Sequence, residues 1–173
     1  EGINIIGHRI LIKVPNNVKK TISEELLLTC KKLNFKNGIL NFDIILTNNK
    51  AIIIEMSPRT GGNGISQLIK LSTNIDIEKY FLQKLFNKEV PLKVNKSKST
   101  YASLLIGDKK GGQISNLSSA SYLKKSIPEI NEVVFFKKQK DFVKKFTDSS
   151  GIICMLIFKC KNDKDFYIMK KKI

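Results

Sequence analysis

Residues 41–62 read Asn-Phe-Asp-Ile-Ile-Leu-Thr-Asn-Asn-Lys-Ala-Ile-Ile-Ile-Glu-Met-Ser-Pro-Arg-Thr-Gly-Gly. Two β-branched apolar runs on either side of the polar Asn48-Asn49-Lys50 specify a β-hairpin. Each strand carries one acid among its hydrophobics, Asp43 in the first and Glu55 in the second. A three-residue loop sets Thr47 opposite Ala51 and brings Asp43 directly opposite Glu55 on one face. A two-residue turn would instead set Asp43 opposite Ile54. Directly opposed side chains have Cβ atoms about 4.5–5.5 Å apart, where like charges destabilise the ladder. A chain that keeps such a pair invites a neutralising cation, and an all-oxygen ligand set suits magnesium or manganese. The plain alternative is an exposed hairpin with two solvated acids.

The residues after Glu55 favour the first reading. Pro58 ends the strand, Arg59 adds a cation, and Gly61-Gly62-Asn63-Gly64 precedes a helical pattern. Glycines leave backbone N–H groups accessible, and a helix N-terminus attracts negative charge, so this segment suits an anion beside the cation.

Arg59 stands out for another reason. The chain carries 31 basic against 15 acidic residues, a net charge of +16, yet its only arginines are Arg9 and Arg59. Readers of nucleic acid rely on arginine for bidentate base contacts and interleave aromatics for stacking. Here the lysines are scattered, often beside Asn and Ile, as an A+T-rich coding bias would write solvated faces. Nucleic acid is therefore an unfavoured partner. A basic, non-enzymatic module binding nucleic acid or an acidic partner is the alternative function.

At 173 residues the chain is one domain, or a large piece of one, able to bury a real core. Mean hydropathy is −0.13 and no apolar run approaches membrane-spanning length, so no membrane association is expected. No charged, apolar leader is visible at Glu1, and the first residue is not Met, which suggests a processed, cut or separately built chain. Cys30, Cys154 and Cys160 are odd in number and lack C-x-x-C spacing, which implies neither a zinc site nor a disulfide framework. They read as small core residues in a reducing, cytoplasmic compartment.

In chain order, residues 2–14 alternate loosely through Ile3, Ile5, Ile6, Ile10, Ile12 and Val14 and read as extended up to Pro15. His8 has no partner of ligand type and is assigned no role. Val18, Ile22, Leu26, Cys30 and Leu33 mark one face of a helix that should stop near Asn34, with Asn37-Gly38 turning the chain into the hairpin. Ile65, Leu68, Ile69 and Ser72 mark a short helix. Asp76 is placed to cap the next, which carries Ile77, Tyr80, Phe81 and Leu85. Residues 90–100 read as a polar linker or an excursion to the next module. Strands follow at 101–107, after a turn at Gly111-Gly112 within 111–117, and at 132–136, with a helical turn or two at 119–125, a lysine-rich connection at 140–146 and a buried strand at 151–160. The tail, 163–173, reads as a short helix or a strand, with helix preferred. Gly111-Gly112 lacks the G-x-x-x-x-G-K-[ST] context of a phosphate loop and reads as a turn.

Gly38-Ile-Leu-Asn-Phe-Asp43, followed by Ile53-Ile-Glu55-Met-Ser-Pro-Arg59-Thr-Gly-Gly62, resembles the C-terminal part of the ATP-grasp superfamily. The upstream helix and the downstream 67–76 stretch fall in that family's order, and the acids stand 12 residues apart as they do there. These enzymes join a carboxylate to an amine or another nucleophile through an acylphosphate made from ATP. The segment after residue 100 looks most like the closing domain of L-amino acid ligases. The resemblance implies an α+β fold. An antiparallel sheet with packed helices would span 1–90, followed by a linker at 91–100 and a small α/β closing module over 101–173. It implies ATP and Mg²⁺ (or Mn²⁺) as cofactors, with Asp43, Glu55 and Ser57 as metal and nucleotide ligands. Position 57 is usually asparagine in the family, so Ser57 is a departure. Arg59 would meet the acyl carboxylate or acylphosphate, and Gly61 and Gly62 the substrate. The partners implied are small carboxylate and amine substrates and an N-terminal half of the enzyme that would precede Glu1. Alone, this piece is expected to be inactive.

Overall fold

Gly151–Cys160, the most apolar run of the chain, becomes the strand on which the core is built. A computed structural model describes residues 7–9, 14–47, 50–86, 88, 91–95, 99–162 and 164–172. Ile3, Ile5, Ile6, Ile10 and Ile12 of the expected N-terminal strand lie outside the described residues, as do Asn48, Asn49, Asp163 and Ile173. The first half contains β1 (Gly7–Arg9), α1 (Asn16–Lys32), β2 (Asn41–Thr47), β3 (Lys50–Ser57), α2 (Ile65–Thr73) and α3 (Ile77–Leu85). The second contains β4 (Thr100–Gly107), β5 (Gly112–Gln113), α4 (Ala120–Ser126), β6 (Ile130–Phe135), β7 (Phe142–Val143), β8 (Ile152–Cys160) and α5 (Lys164–Lys172). This is the expected α+β class, with antiparallel sheets and packed helices.

Local chemistry sets the helix ends. At the end of α1 the Phe35 N–H reaches the Cys30 carbonyl at 2.9 Å and the Asn34 N–H reaches Lys31 at 3.1 Å. Asn34 itself is left-handed, with φ of 54°. That is a Schellman stop, placed where Asn34 was expected to end the helix. Asp76 caps α3 as expected: its side chain accepts from the Lys79 N–H at 3.0 Å and from Lys70 Nζ at 2.9 Å. Both contacts hold the Asp76 carboxyl below its ordinary pKa, the backbone hydrogen bond more than the lysine.

The main sheet runs in the order β1-β4-β8-β6, all neighbours antiparallel. In the register of β4 with β8, Ala102 faces Phe158 and Leu104 faces Leu156. Alternation then sends two sets of side chains to two faces. On one face Ala102, Leu104, Cys154, Leu156, Phe158 and Cys160 are buried with Phe166 and Met169 of α5, and Leu123 and Ile127 pack beside them. On the other, Leu105, Ile152, Met155 and Ile157 are buried with Leu68 of α2. β8 is covered on both faces, which is why it reads as an unbroken apolar run. Burial pushes the Cys154 thiol up to about 11, so it packs as an inert hydrophobe.

The expected boundary at 91–100 separates stretches of sequence whose elements share this sheet. β1 pairs β4, and α2 lies against β4 and β8. The lysine-rich connection expected at 140–146 holds a short strand, β7, whose Val143 is buried and which pairs with β5. Phe142 and Val143 lie between Asp141 and Lys144, a two-residue apolar stretch too short for periodicity to register. Among the described residues, no helix is long and apolar enough to cross a membrane.

Two stability predictions follow from these contacts. Leu68 is 1% exposed and is the α2 side chain in the core, so Leu68→Ala should cost about 2–5 kcal/mol in urea unfolding. Asp76→Ala should cost about 1 kcal/mol of cap energy at neutral pH. The Asp76 carboxyl is depressed in the fold, so its contribution is complete above its ordinary value of 3.8 and is lost as pH falls through the lower folded value. Wild type and variant should therefore converge in unfolding midpoint in strong acid.

Candidate functional site

The hairpin reaches the Asp43–Glu55 pairing by a different route from the one its loop suggested. Thr47 faces Lys50, so the connection is two residues long and the three-residue loop does not form. The ladder then runs Leu46 with Ala51, Ile45 with Ile52 and Ile44 with Ile53. Between Ile44 and Asp43 the register shifts, and Asp43 faces Glu55. Ile54 is thus the extra residue of a β-bulge, a device that bends a strand and re-aims its side chains. Without it, the short turn would have set Asp43 against Ile54. Next along the ladder, Phe42 faces Met56 and Asn41 faces Ser57.

Alternation places Asn41, Asp43 and Ile45 on one face of β2, opposite Ser57, Glu55 and Ile52. On the other face Phe42, Ile44, Ile53 and Met56 are half-buried and Ala51 is buried. The acid-bearing face is open: Asp43 and Glu55 are exposed, and Ile45 and Ile52 are 54% and 45% exposed. Among the described residues, no basic side chain pairs with either acid, although the chain carries a net charge of +16. Their hydrogen-bonding neighbours are neutral. Ser57 Oγ donates to Glu55 Oε1 at 3.0 Å, and Asn41 Nδ2 lies 3.5 Å from Asp43 Oδ1.

The oxygens on this face are of the kind a hard divalent cation accepts as ligands. Ser57 Oγ and Glu55 Oε1 are side by side because they share a hydrogen bond. Two carboxylates and a hydroxyl are a sparse set, and no group of three His, Cys, Asp or Glu side chains gathers among the described residues. Magnesium tolerates sparse protein ligation because it retains waters and binds phosphate oxygens.

Beyond Ser57 the chain turns sharply. The Arg59 N–H donates to the Ser57 carbonyl at 2.9 Å, and Arg59 Nη1 donates to the Thr60 carbonyl at 2.9 Å. One guanidinium nitrogen is thereby tethered while the exposed side chain keeps its other donors available. A Cβ on Gly61 would lie 2.8 Å from Asn41 Oδ1 and 2.7 Å from Ile65 Cδ1, so the turn presses directly on the hairpin. A Cβ on Gly62 would meet nothing within 4 Å. Among the described residues, the N–H groups of Gly61 and Gly62 have no acceptor. Gly64 is left-handed, with φ of 85°, and packs against Met155 and Ser103. Ser103 Oγ donates to the Asn63 carbonyl at 2.8 Å. α2 then begins at Ile65 with no side-chain cap.

No family model matches the chain, and no curated protein matches it. Solved structures do. Phosphoribosylglycinamide synthetase from Anaerococcus prevotii aligns over 97% of this chain and 43% of its own, at 25% identity and a TM-score of 0.76. L-amino acid ligase from Bacillus licheniformis aligns over 99% of this chain and 43% of its own, at 15% identity and a TM-score of 0.83. The chain carries part of the ATP-grasp fold. The biotin carboxylase subunit of pyruvate carboxylase, also an ATP-grasp enzyme, aligns over 96% of this chain at 12% identity and a TM-score of 0.65. The chain spans about two fifths of the length of the first two and 37% of the third.

The structure brings Asp43, Glu55 and Ser57 together on one face, with Arg59, Gly61 and Gly62 on the turn that continues from it. Sequence reasoning did not single out Asn41, although the register that opposes Asp43 to Glu55 also opposes Asn41 to Ser57. Nor did it find the bulge at Ile54, which no residue type announces. Gly64 was visible only as one glycine of a cluster, and its role depends on distant Ser103 and Met155. Gly64→Ala should destabilise the fold by about 1–2 kcal/mol from its left-handed backbone alone. Thermal unfolding reads this cost directly, and Gly62→Ala, with open space around it, serves as the mild comparison.

Proposed function

We propose that this chain is the cation- and acyl-group-binding portion of an ATP-dependent ligase that joins a carboxylate, an amino acid in our reading, to an amine through an acylphosphate. The observation that carries the reading is the opposed Asp43–Glu55 pair, without a basic partner among the described residues, on the open face of a hairpin within an ATP-grasp fold.

In this reading Asp43 and Glu55 hold Mg²⁺ or Mn²⁺, with Ser57 as a neutral third oxygen. The ion, when bound, offsets the charge of the ATP phosphates during phosphoryl transfer. Ile45 and Ile52, exposed beside the acids on the same face, form an apolar wall for the uncharged part of the nucleotide. Arg59 is tethered through Nη1 and directs its remaining donors at the acyl carboxylate, strengthening its hold as negative charge develops on the acylphosphate. The unpartnered N–H groups of Gly61 and Gly62 receive the same anionic group from the backbone side. One of the matched structures is described as a biotin carboxylase domain with MgADP and bicarbonate, a nucleotide–metal–anion set of the chemical type this face suits. The chain spans about two fifths of such enzymes, so we assign the remaining ATP contacts to polypeptide outside these 173 residues and expect no turnover from this piece alone.

In the complete enzyme, Glu55→Gln should lower amino-acid-dependent ATP turnover by at least about 100-fold, the upper range for removing a metal-shell group, while far-UV circular dichroism stays unchanged. Wild-type turnover in that variant would overturn the assignment of Glu55.

A further inference from the structure

Asn41 has an unusual position for a residue outside the acidic pair. It faces Ser57 across the ladder, on the same face as Asp43 and Glu55. Its amide nitrogen lies 3.5 Å from Asp43 Oδ1, at the outer limit of a hydrogen bond. Its amide oxygen lies where a Cβ on residue 61 would approach to 2.8 Å. The half-buried side chain is therefore confined on two sides, by the Asp43 carboxylate two residues along its own strand and by the glycine turn.

We propose that Asn41 is a positioning residue of the cation site, setting the orientation of Asp43 and coupling it to the turn through the missing Cβ of Gly61. The inference rests on the reading of Asp43 and Glu55 as cation ligands. Ser57 serves Glu55 in the same manner from the opposite strand, donating at 3.0 Å. Each acid thus has a neutral donor on its own strand, two residues away. A neutral donor restrains a carboxylate's rotation without cancelling the charge that attracts the ion, which a lysine in the same place would do. Hydrogen-bonding partners of ligating carboxylates commonly control metal affinity by about 10–100-fold. The contact with Gly61 adds a mechanical link: any side chain at position 61 must displace Asn41 or Ile65, and displacing Asn41 releases Asp43.

The test is a double-mutant cycle on Mn²⁺ affinity, read by titration of free ion with the intact chain and requiring no turnover. Asn41→Ala should weaken binding about tenfold. Gly61→Ala should weaken it comparably, and the double variant should be no worse than Asn41→Ala, because the effect of Gly61 passes through Asn41. Asn41→Ser, which replaces the amide with a shorter polar group that lacks its reach, should resemble Asn41→Ala and guards against a variant that does not fold. Asp43→Asn separates the two claims. If Asp43→Asn abolishes Mn²⁺ binding while the Asn41 variants bind as wild type, Asn41 is not a positioning residue and the cation site stands. Additive losses in the double variant also overturn the coupling. If wild type and Asp43→Asn bind Mn²⁺ equally, or neither binds it, the cation reading itself falls and the role of Asn41 falls with it.

Discussion

The placement of the candidate site depends on one close approach, that of Gly64 to the main sheet. With φ of 85° and no Cβ, Gly64 fits against Ser103 and Met155, on neighbouring strands of that sheet. The hydrogen bond from Ser103 Oγ to the Asn63 carbonyl fastens the same point. From there α2 runs back over the sheet and buries Leu68 among Leu105, Ile152, Met155 and Ile157. The turn that carries Arg59, Gly61 and Gly62 is thus fixed at its downstream end by the core and at its upstream end by the hairpin. A loop held at both ends loses little further entropy when it receives a ligand.

Electrostatics explain why the hairpin is more than a connector. Opposed carboxylates repel, and a chain with 31 basic residues has ample means to pair them. Instead, among the described residues, their neighbours are an amide and a hydroxyl. Basic side chains elsewhere do pair: Lys70 with Asp76, Lys20 with Glu24 and Lys172 with Glu129. Leaving one acidic pair without such a partner keeps its negative potential available, and neutral donors orient it without spending that charge. The bulge at Ile54 belongs to the same design, because it restores the opposition that a two-residue turn would have removed.

How much of this could be read from the residues alone differs between elements for physical reasons. α1, α2 and α3 were legible because their apolar spacing and their ends, Asn34 and Asp76, are local signals. β8 was legible as an unbroken apolar run. The pairing of Asp43 with Glu55 was reached by assuming a three-residue loop, whereas the structure combines a two-residue connection with a bulge. Two register changes cancel, and neither leaves a mark in residue type, since Ile54 is one isoleucine in a row of three. The sheet that joins the two halves was not legible, because β1–β4 pairing links residues almost a hundred positions apart. Arg59 was conspicuous for compositional rarity, and its tether to the Thr60 carbonyl needed coordinates.

The hairpin's two faces differ in what surrounds them. A two-stranded ribbon is marginal by itself and gains stability when a face is covered. α1 contacts β3, while Ile45, Ile52 and Ile54 stay exposed. The acid pair lies on the Ile45–Ile52 face, so whatever covers those isoleucines also removes water from the carboxylates. Excluding water lowers the local dielectric and strengthens every charge interaction there, including repulsion between the acids. Covering this face would therefore be opposed by two buried like charges, and neutralising them would offset that cost. The apolar and acidic parts of this face therefore act as one element, in which covering the isoleucines and neutralising the acids are linked.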